Sequence, residues 1–200
     1  MTTPFRIVVV NNAEPDIRDF VAPINQLLGE NGYTYEQIEY RQMLHMDIDG
    51  FHGVILSGSP TGDDIAFSHQ KYYSWVDTYK KPILGVCAGH QILGVRHGAE
   101  LIRGSESEKG NDVSVQIKCA NDPIFCGMEG EITTLQMHND SVTCSDDFTI
   151  LASSEKCNNQ VMKSKDRPFY TVQFHAEISN HDIILNFLRI CEKHRFDNAV

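Results

Sequence analysis

The residues best suited to chemistry surround one cysteine in the middle of the chain. Residues 83–94 read Ile-Leu-Gly-Val-Cys-Ala-Gly-His-Gln-Ile-Leu-Gly, so Cys87 has a glycine two positions before it and another two positions after it. A buried-strand pattern ends at the cysteine and a helical pattern begins directly after it, which is the layout of a nucleophile elbow. The amide groups and dipole at a helix N-terminus favour a thiolate. We therefore predict that Cys87 is a nucleophile; a buried structural cysteine between two turn glycines is the alternative.

A second reactive pair occurs near the end of the chain, where residues 172–177 read Val-Gln-Phe-His-Ala-Glu. A histidine can move the proton of a thiol, and a carboxylate can orient the imidazole and stabilise its charged form. Residues i and i+2 of extended backbone point to the same side, so Glu177 is expected to reach His175. The alternatives are an ordinary polar pair or a metal site, but no third ligand is spaced for a metal.

The elements that must position these residues change character halfway along the chain. In the first half, strand-like segments alternate with helical ones; the strands are 5–11, 33–40, 53–57 and 83–86, and the helices are 16–31, 66–80 and 88–97. Pro23 permits a kink or an early break in the first helix. The second half contains short strand-like segments at 112–118, 131–137, 148–152, 159–163 and 169–174, followed by a helix over 180–194. This order predicts one α/β domain with a central, mostly parallel sheet, helices on both faces and a smaller antiparallel β-rich part.

Composition and charge exclude several classes of protein. The 200 residues include 17 Lys and Arg against 27 Asp and Glu, a formal net charge of −10, which argues against binding to nucleic acid or anionic lipid. The longest apolar runs are far shorter than the roughly 20 residues of a membrane span. The N-terminus leads directly into a strand-like run without the apolar region of a secretion signal. We expect a cytoplasmic protein whose six scattered cysteines are reduced; three disulfides are the alternative.

Three motifs resemble those of the class I (triad) glutamine amidotransferases and stand in that family's order. They are Gly-x-Cys-x-Gly-His-Gln-x-x-Gly at 85–94, the Ser-Gly-Ser-Pro loop at 57–60 and Gln-Phe-His-Ala-Glu at 173–177. Weaker similarity at 123–128 and 137–142 extends the resemblance over nearly the whole chain. The resemblance implies a flavodoxin-like fold and a glutamine amidotransferase type-1 domain over residues 1–200. It also implies hydrolysis of L-glutamine to glutamate and ammonia through a cysteine thioester.

The same resemblance divides the site residues into three groups. The triad of nucleophile, base and orienting acid comprises Cys87, His175 and Glu177. The oxyanion hole, which needs two preorganised N–H donors, would use the backbone of Ala88 and of Gly58-Ser59. The residues expected to contact the substrate are Gln91, His138 and Asp140. The alternatives are a simple turn at Gly58-Ser59 and a purely structural role for His138.

Two positions depart from the family's motifs. Ser59 stands where the family has a second glycine, which narrows the φ range of that loop and bears on the resting geometry of the oxyanion hole. Ala176 stands where the family has proline, which loosens the backbone but removes no chemical group.

The expected product points to a partner. Ammonia is protonated in water and lost as a nucleophile, so the family couples glutamine hydrolysis to a synthetase. The chain has no Walker A pattern and no GxGxxG, so the resemblance implies a separate ATP-using synthetase subunit, with no cofactor and no metal in this chain. Residues 108–115 and 123–125 are most similar to the glutaminase portion of GMP synthetase. The corresponding components of anthranilate and aminodeoxychorismate synthases share this core and stay open.

Two other functions are compatible with the same residues. A stand-alone γ-glutamyl hydrolase would use the same triad on other γ-glutamyl compounds. A non-catalytic regulatory or binding module would keep the fold alone, although the intact Cys87, His175 and Glu177 argue against it.

Overall fold

Strands and helices alternate through the first half of the computed structural model, which describes residues 4–60 and 64–198. Their order is β1 (Ile7–Asn11), α1 (Ala22–Glu30), β2 (Tyr35–Glu39), β3 (Gly53–Leu56), α2 (Ile65–Ser68), β4 (Ile83–Val86) and α3 (Ala88–Arg96). Strands dominate the second half: β5 (Leu101–Ile102), β6 (Glu108–Ile117), β7 (Glu131–His138), β8 (Ser141–Val142), β9 (Phe148–Ser154), β10 (Val161–Ser164) and β11 (Phe169–Val172). Helices α4 (Ala176–Ser179) and α5 (His181–Asp197) follow.

Nine of these strands form one sheet, in the order β2-β1-β3-β4-β11-β10-β9-β6-β7. The five strands from β2 to β11 run parallel, and the remaining strands pair in antiparallel fashion. Strands β5 and β8 form a separate antiparallel pair. The predicted α/β class is therefore confirmed, with the refinement that most of the antiparallel part continues the same sheet.

The core lies on both faces of the parallel strands. Alternate residues of β1 face opposite sides: Ile7 and Val9 belong to a cluster with α1 and α5, whereas Val8 and Val10 belong to a cluster with α3. All four are fully buried, which explains why this strand is a continuous β-branched run.

The antiparallel half of the sheet curls back over the carboxyl end of the parallel half. Strand β7 is four places from β11 in the sheet, yet the backbone N–H of His175, just beyond β11, donates to Leu135 O of β7 at 3.0 Å. Ser179 Oγ and Asn180 Nδ2, at the end of α4, also bind the backbone of β7. The segment after β11 thus covers the outer edge of β7 and brings it to the end of the parallel strands.

Most predicted elements match the observed bounds within three residues, and three differ by more. Helix α1 begins at Ala22 and not near residue 16, because Pro23 lacks an N–H and is accommodated only in the first turn. Segment 66–80 is not one helix: α2 ends at Ser68, and 3₁₀ turns follow at Gln70–Tyr72 and Ser74–Asp77. The buried residues along this segment, Tyr73, Val76 and Tyr79, are three apart, the period of a 3₁₀ helix.

Strand β6 begins at Glu108, before the predicted residue 112, and passes through an irregularity between Gly110 and Val113. Because of this irregularity, the first part of β6 lacks the alternation of apolar and polar residues by which strands are recognised in a sequence. The prediction that the N-terminus lacks a secretion signal includes residues 1–3, which lie outside the described residues. Within the described residues, no helix combines the length and the apolar character needed to cross a membrane.

Helix α3 packs on the sheet with almost no space between their backbones. A Cβ atom added at Gly89 would lie 2.6 Å from Leu56 O, and one added at Gly85 would lie 2.5 Å from Gly89 O. Both distances are shorter than any ordinary contact, and both neighbours are backbone atoms that cannot rotate away. Glycine at these two positions therefore permits the close contact of α3 with β3 and β4.

We expect Gly89→Ala to destabilise the fold by about 1–3 kcal/mol, because α3 must move away from Leu56 to make room for a methyl group. The matched control is Gly29→Ala in α1, where an added Cβ meets nothing within 4 Å. That change should be neutral or stabilising by up to about 1 kcal/mol, because alanine is the better helix former. Urea unfolding of both variants measures the difference; equal free energies of unfolding would contradict the close contact.

Candidate active site

Cys87 occupies a strained turn between β4 and α3. Its φ of 49° and ψ of −100° make it the one non-glycine residue with positive φ in the described parts of the chain. Its N–H donates to Val172 O of β11 at 2.8 Å, and its carbonyl accepts from Gln91 N at 3.1 Å. A conformation of this kind persists only where its surroundings hold it, and such strain is concentrated at functional sites.

His175 and Glu177 lie just beyond the neighbouring strand β11. The His175 Nδ1 atom is 2.8 Å from Glu177 Oε1, and both residues are 1% exposed. A carboxylate can only accept, so Nδ1 carries the hydrogen and Nε2 is left to exchange a proton. The Phe20 ring packs against the imidazole at 5.0 Å between centroids. Glu177 reaches the imidazole from the first turn of α4, and not from the extended backbone that the sequence suggested.

The charge on His175 is governed by its neighbours. Burial by itself would lower the pKa of His175, but the adjacent Cys87 sulfur and Glu177 carboxylate outweigh it and raise the pKa to about 10. At neutral pH the arrangement therefore favours the charged imidazolium form of His175. An imidazolium beside a cysteine sulfur is an arrangement that activates the sulfur as a nucleophile.

A cavity of about 240 Å³ connects most of the predicted site residues. Its lining includes Cys87, Ala88, Gln91, Ser59, His138, Asp140 and His175. Of the predicted residues, Glu177 and Gly58 do not line it. Glu177 lies behind the imidazole, and an added Cβ at Gly58 would come within 3.1 Å of His175 Cε1. The structure thus brings all nine predicted residues to one place, seven of them at the cavity surface.

Two backbone segments contribute to the cavity lining together with Cys87. Ala88 is the first residue of α3, where an N–H has no acceptor within the helix. Ser59 lies on the loop after β3, in the same cavity lining. The loop is anchored below by Ser57, whose Oγ accepts from Asn12 N at 3.1 Å and whose carbonyl accepts from Asn12 Nδ2 at 2.6 Å.

Asn12 is a site residue that sequence reasoning missed. It is buried at the end of β1, and Tyr73 Oη donates to its side-chain oxygen. A polar Asn-Asn pair directly after a buried strand was the available signal. Its partners at positions 57 and 73 are distant in sequence, so the pattern could not show what the pair holds.

Gln91 and His138 support the opposite wall of the cavity. Gln91 Nε2 donates to Asp140 O at 2.7 Å, and His138 Nδ1 donates to the same carbonyl at 3.1 Å. The Asp140 carboxylate accepts from Arg103 at 3.3 Å and from Gly104 N at 3.1 Å. These contacts fix the backbone at 140, so Gln91 and His138 shape the cavity as well as line it.

Gln173 is a second residue that the sequence did not single out. Its side-chain Nε2 lies 3.8 Å from Cys87 Sγ and donates toward it, and its Oε1 accepts from Gln91 Nε2 at 3.3 Å. A neutral donor beside the sulfur stabilises negative charge there. The residue belongs to the Gln-Phe-His-Ala-Glu motif, which was the signal that could have identified it.

A larger groove of about 390 Å³ lies elsewhere and contains none of the predicted site residues. Its mostly apolar lining includes Pro168, which precedes β11, whereas His175 follows that strand. The candidate chemistry is therefore confined to the carboxyl end of the parallel strands, where ligands bind in open α/β sheets.

This fold, with a cysteine turn between strand and helix and a buried histidine–glutamate pair at the same sheet edge, defines a thiol-dependent α/β enzyme class. A sequence profile of the family Glutamine amidotransferase class-I matches residues 16–189. Because the match spans most of the chain, the protein belongs to the class I glutamine amidotransferases, as the sequence motifs predicted.

Curated relatives extend the comparison. The chain is 36% identical over 156 residues to a glutamine-hydrolyzing GMP synthase subunit of Thermoplasma acidophilum, which covers 74% of this chain and 76% of the relative. It is 36% identical over 151 residues to the protein of the same name from Halobacterium salinarum, covering 73% of this chain and 79% of the relative.

Two solved structures share the fold of this chain. The crystal structure of a protein assigned as a GMP synthase subunit from Thermoplasma acidophilum matches with a TM-score of 0.84 at 30% identity, over 100% of both chains. A glutamine amidotransferase from Thermotoga maritima shares the fold, with a TM-score of 0.72 at 19% identity over 98% of this chain and 86% of that one. The predicted similarity to the glutaminase portion of GMP synthetase is confirmed.

The pKa values of the two cavity histidines should be shifted in opposite directions from the ordinary value. We expect His175 to keep its proton to about pH 10, and Cys87→Ala to lower its pKa because the neighbouring sulfur that helps to raise it is removed. Burial lowers the pKa of His138 to about 4, so His138 should stay neutral at pH 7 in both proteins and serves as the internal control. An NMR titration of the histidine Cε1 protons measures both. A His175 pKa near its ordinary value of about 6.5, or one unchanged by Cys87→Ala, would refute the electrostatic coupling between the two side chains.

Proposed function

We propose that this protein hydrolyses L-glutamine to L-glutamate and ammonia and, as the glutaminase component of a GMP synthase, delivers the ammonia to a separate synthetase subunit. The observation that carries the proposal is the arrangement at the cavity. Cys87 and His175 line one small cavity, and the imidazole is held from behind by Glu177 at 2.8 Å. This arrangement contains every group that acyl transfer to a thiol needs.

The first half of the reaction forms a thioester. The Cys87 thiolate attacks the side-chain amide carbon of glutamine, while the carbonyl oxygen becomes an oxyanion that the N–H groups of Ala88 and the Gly58-Ser59 segment would stabilise. The His175 imidazolium then gives its proton to the amide nitrogen as the C–N bond breaks. Ammonia leaves, and the γ-glutamyl group remains bonded to the sulfur.

The second half of the reaction regenerates the enzyme. Neutral His175 takes a proton from a water molecule as the water oxygen attacks the thioester carbon. The C–S bond breaks, glutamate leaves and Cys87 returns as a thiolate beside an imidazolium. The role of Glu177 in both halves is to orient the ring and stabilise its positive charge.

The far end of the cavity would recognise the amino-acid part of glutamine. Gln91, His138 and Asp140 line this wall. Their mutual hydrogen bonds present polar groups in fixed positions, which suits a small zwitterionic substrate better than an apolar one. The volume of about 240 Å³ is also small enough to favour a free amino acid over a larger compound.

A partner would complete the reaction. The curated relatives are named as one subunit of GMP synthase, and the word implies a second chain. We infer that this second chain uses ATP to activate an acceptor for the ammonia, because ammonia displaces oxygen from carbon only when the oxygen is activated. We assign the reaction to the cytoplasm and to a single type-1 domain over residues 1–200. The cysteines, all free in the described part of the chain, support the assignment to the cytoplasm.

Cys87→Ala should abolish glutamine turnover, lowering kcat by at least about 10³-fold, because no other group at the site can form the thioester. The matched control is Cys126→Ala, which removes an exposed thiol outside the cavity and should leave turnover unchanged. Glutamate release measures activity, and circular dichroism checks that both variants fold. Turnover that survives in Cys87→Ala would remove Cys87 from the mechanism.

Glutamine should be hydrolysed slowly by the isolated chain and faster when the synthetase partner and its substrates are added. The comparison substrates are γ-glutamyl peptides and γ-glutamyl amines, whose leaving groups are larger than ammonia. Ammonia and glutamate release are followed for each compound, with and without the partner. Full activity of the isolated chain on γ-glutamyl peptides would instead identify a stand-alone γ-glutamyl hydrolase.

A further inference from the structure

Three buried side chains with metal-binding atoms meet behind the wall of the catalytic cavity. They are Glu108 at the start of β6, His138 at the end of β7 and Cys157 after β9, with exposures of 5%, 3% and 0%. One carboxylate oxygen, one ring nitrogen and the sulfur all lie within 4.8 Å of one another. None of the roles proposed for glutamine hydrolysis uses Glu108 or Cys157.

The ring of His138 presents an unpartnered nitrogen to this cluster. Its Nδ1 is 3.1 Å from Asp140 O, and a carbonyl can only accept, so Nδ1 carries the hydrogen and Nε2 bears a lone pair. The Nε2 atom has no hydrogen-bond partner among the described residues and lies 3.7 Å from Glu108 Oε2. Two buried acceptors that face each other across this gap are unfavourable unless a proton or a metal cation lies between them.

Neighbouring residues hold the other two ligand atoms in place. Glu108 Oε2 accepts from Ser154 Oγ at 2.8 Å and from Gln160 Nε2 at 2.6 Å. Cys157 lies in a tight turn in which its own N–H donates to Ser154 Oγ at 3.0 Å. Ser154 therefore links the Glu108 carboxylate to the backbone of Cys157, whose Sγ lies 3.7 Å from Asn159 O. Supporting hydrogen bonds of this kind orient the ligands in metal sites.

We propose that Glu108, His138 and Cys157 bind a divalent transition-metal ion of the Zn²⁺ type. Sulfur, imidazole nitrogen and carboxylate oxygen together suit Zn²⁺, whereas Mg²⁺ and Ca²⁺ require oxygen ligands. Binding converts the Cys157 thiol to a zinc-bound thiolate and releases its proton to solvent. Three protein ligands leave one of the four positions for water.

The cluster lies between two cavities that open to solvent. His138 lines the catalytic cavity, and Glu108 lines a second cavity of about 340 Å³. The second cavity also carries the carboxylates of Asp112 and Glu155, together with Lys109 and Lys156. An ion can therefore approach through the acidic side chains of the second cavity. Once bound, it holds the His138 ring that forms part of the catalytic wall.

This inference does not depend on glutamine hydrolysis, and its test reads the metal directly. The probe is Co²⁺ alone, whose thiolate complexes absorb in the near ultraviolet, added to the full chain carrying Cys87→Ala. That background removes the catalytic sulfur, which could itself bind a thiophilic ion. We expect one Co²⁺ per chain with a thiolate absorption band, and displacement of the Co²⁺ by an equimolar amount of Zn²⁺.

Variants in the same background identify the ligands. Cys157→Ala should remove the thiolate band, while Cys126→Ala should retain it; Glu108→Gln and His138→Ala should each weaken Co²⁺ binding by at least about tenfold. Thermal unfolding without metal shows that each variant folds, and Cys157→Ala, which removes a single heavy atom, is the decisive one. A thiolate band that survives Cys157→Ala would overturn the proposal. So would a band that appears in the wild-type chain and is absent once Cys87 is replaced.

Discussion

The site depends on the parallel pairing of β4 with β11. Val86 pairs with Val172, and the N–H of Cys87 extends this register by donating to Val172 O. The two strands therefore end at the same edge of the sheet, although their last residues are 86 positions apart. Parallel neighbours in a sheet direct their carboxyl ends the same way, so whatever follows each strand meets its counterpart across the edge. This pairing places a thiol beside an imidazole without any local sequence relation between them.

The electrostatics of the cavity show how position, and not residue type, determines protonation. Burial acts in the same direction on His175 and His138, disfavouring the charged ring. His175 faces a sulfur and a carboxylate that reverse this effect, whereas His138 donates to a backbone carbonyl and stays neutral. His175 is thereby suited to carry a proton, and His138 to form part of the cavity wall. Neighbouring groups commonly separate the pKa values of similar residues in this way in active sites.

Sequence patterns predicted the features that are determined by residues close together in the chain. The turn at Cys87 carries its signature in adjacent glycines, and the buried strands are recognisable as β-branched runs. Asn12 could not be assigned in this way, because its role arises from contacts with residues far along the chain. Gln173 lies in a recognisable motif, but its contacts with Cys87 and Gln91 become visible only in the folded structure. The 3₁₀ turns at Gln70–Tyr72 and Ser74–Asp77 were missed for a related reason: tertiary burial at a spacing of three overrode the helical pattern. Glu108 and Cys157 have no shared motif, so only the curled sheet reveals their proximity.

Strand β11 has a parallel neighbour, β4, on one side and an antiparallel neighbour, β10, on the other. The two halves of the sheet that meet at β11 contribute different parts of the site. The reactive pair follows the two adjacent parallel strands β4 and β11. The cavity wall that includes His138 and Asp140 comes instead from the end of β7, at the far margin of the sheet. Substitutions confined to the antiparallel half can therefore alter this cavity wall without changing the two parallel strands that position Cys87 and His175.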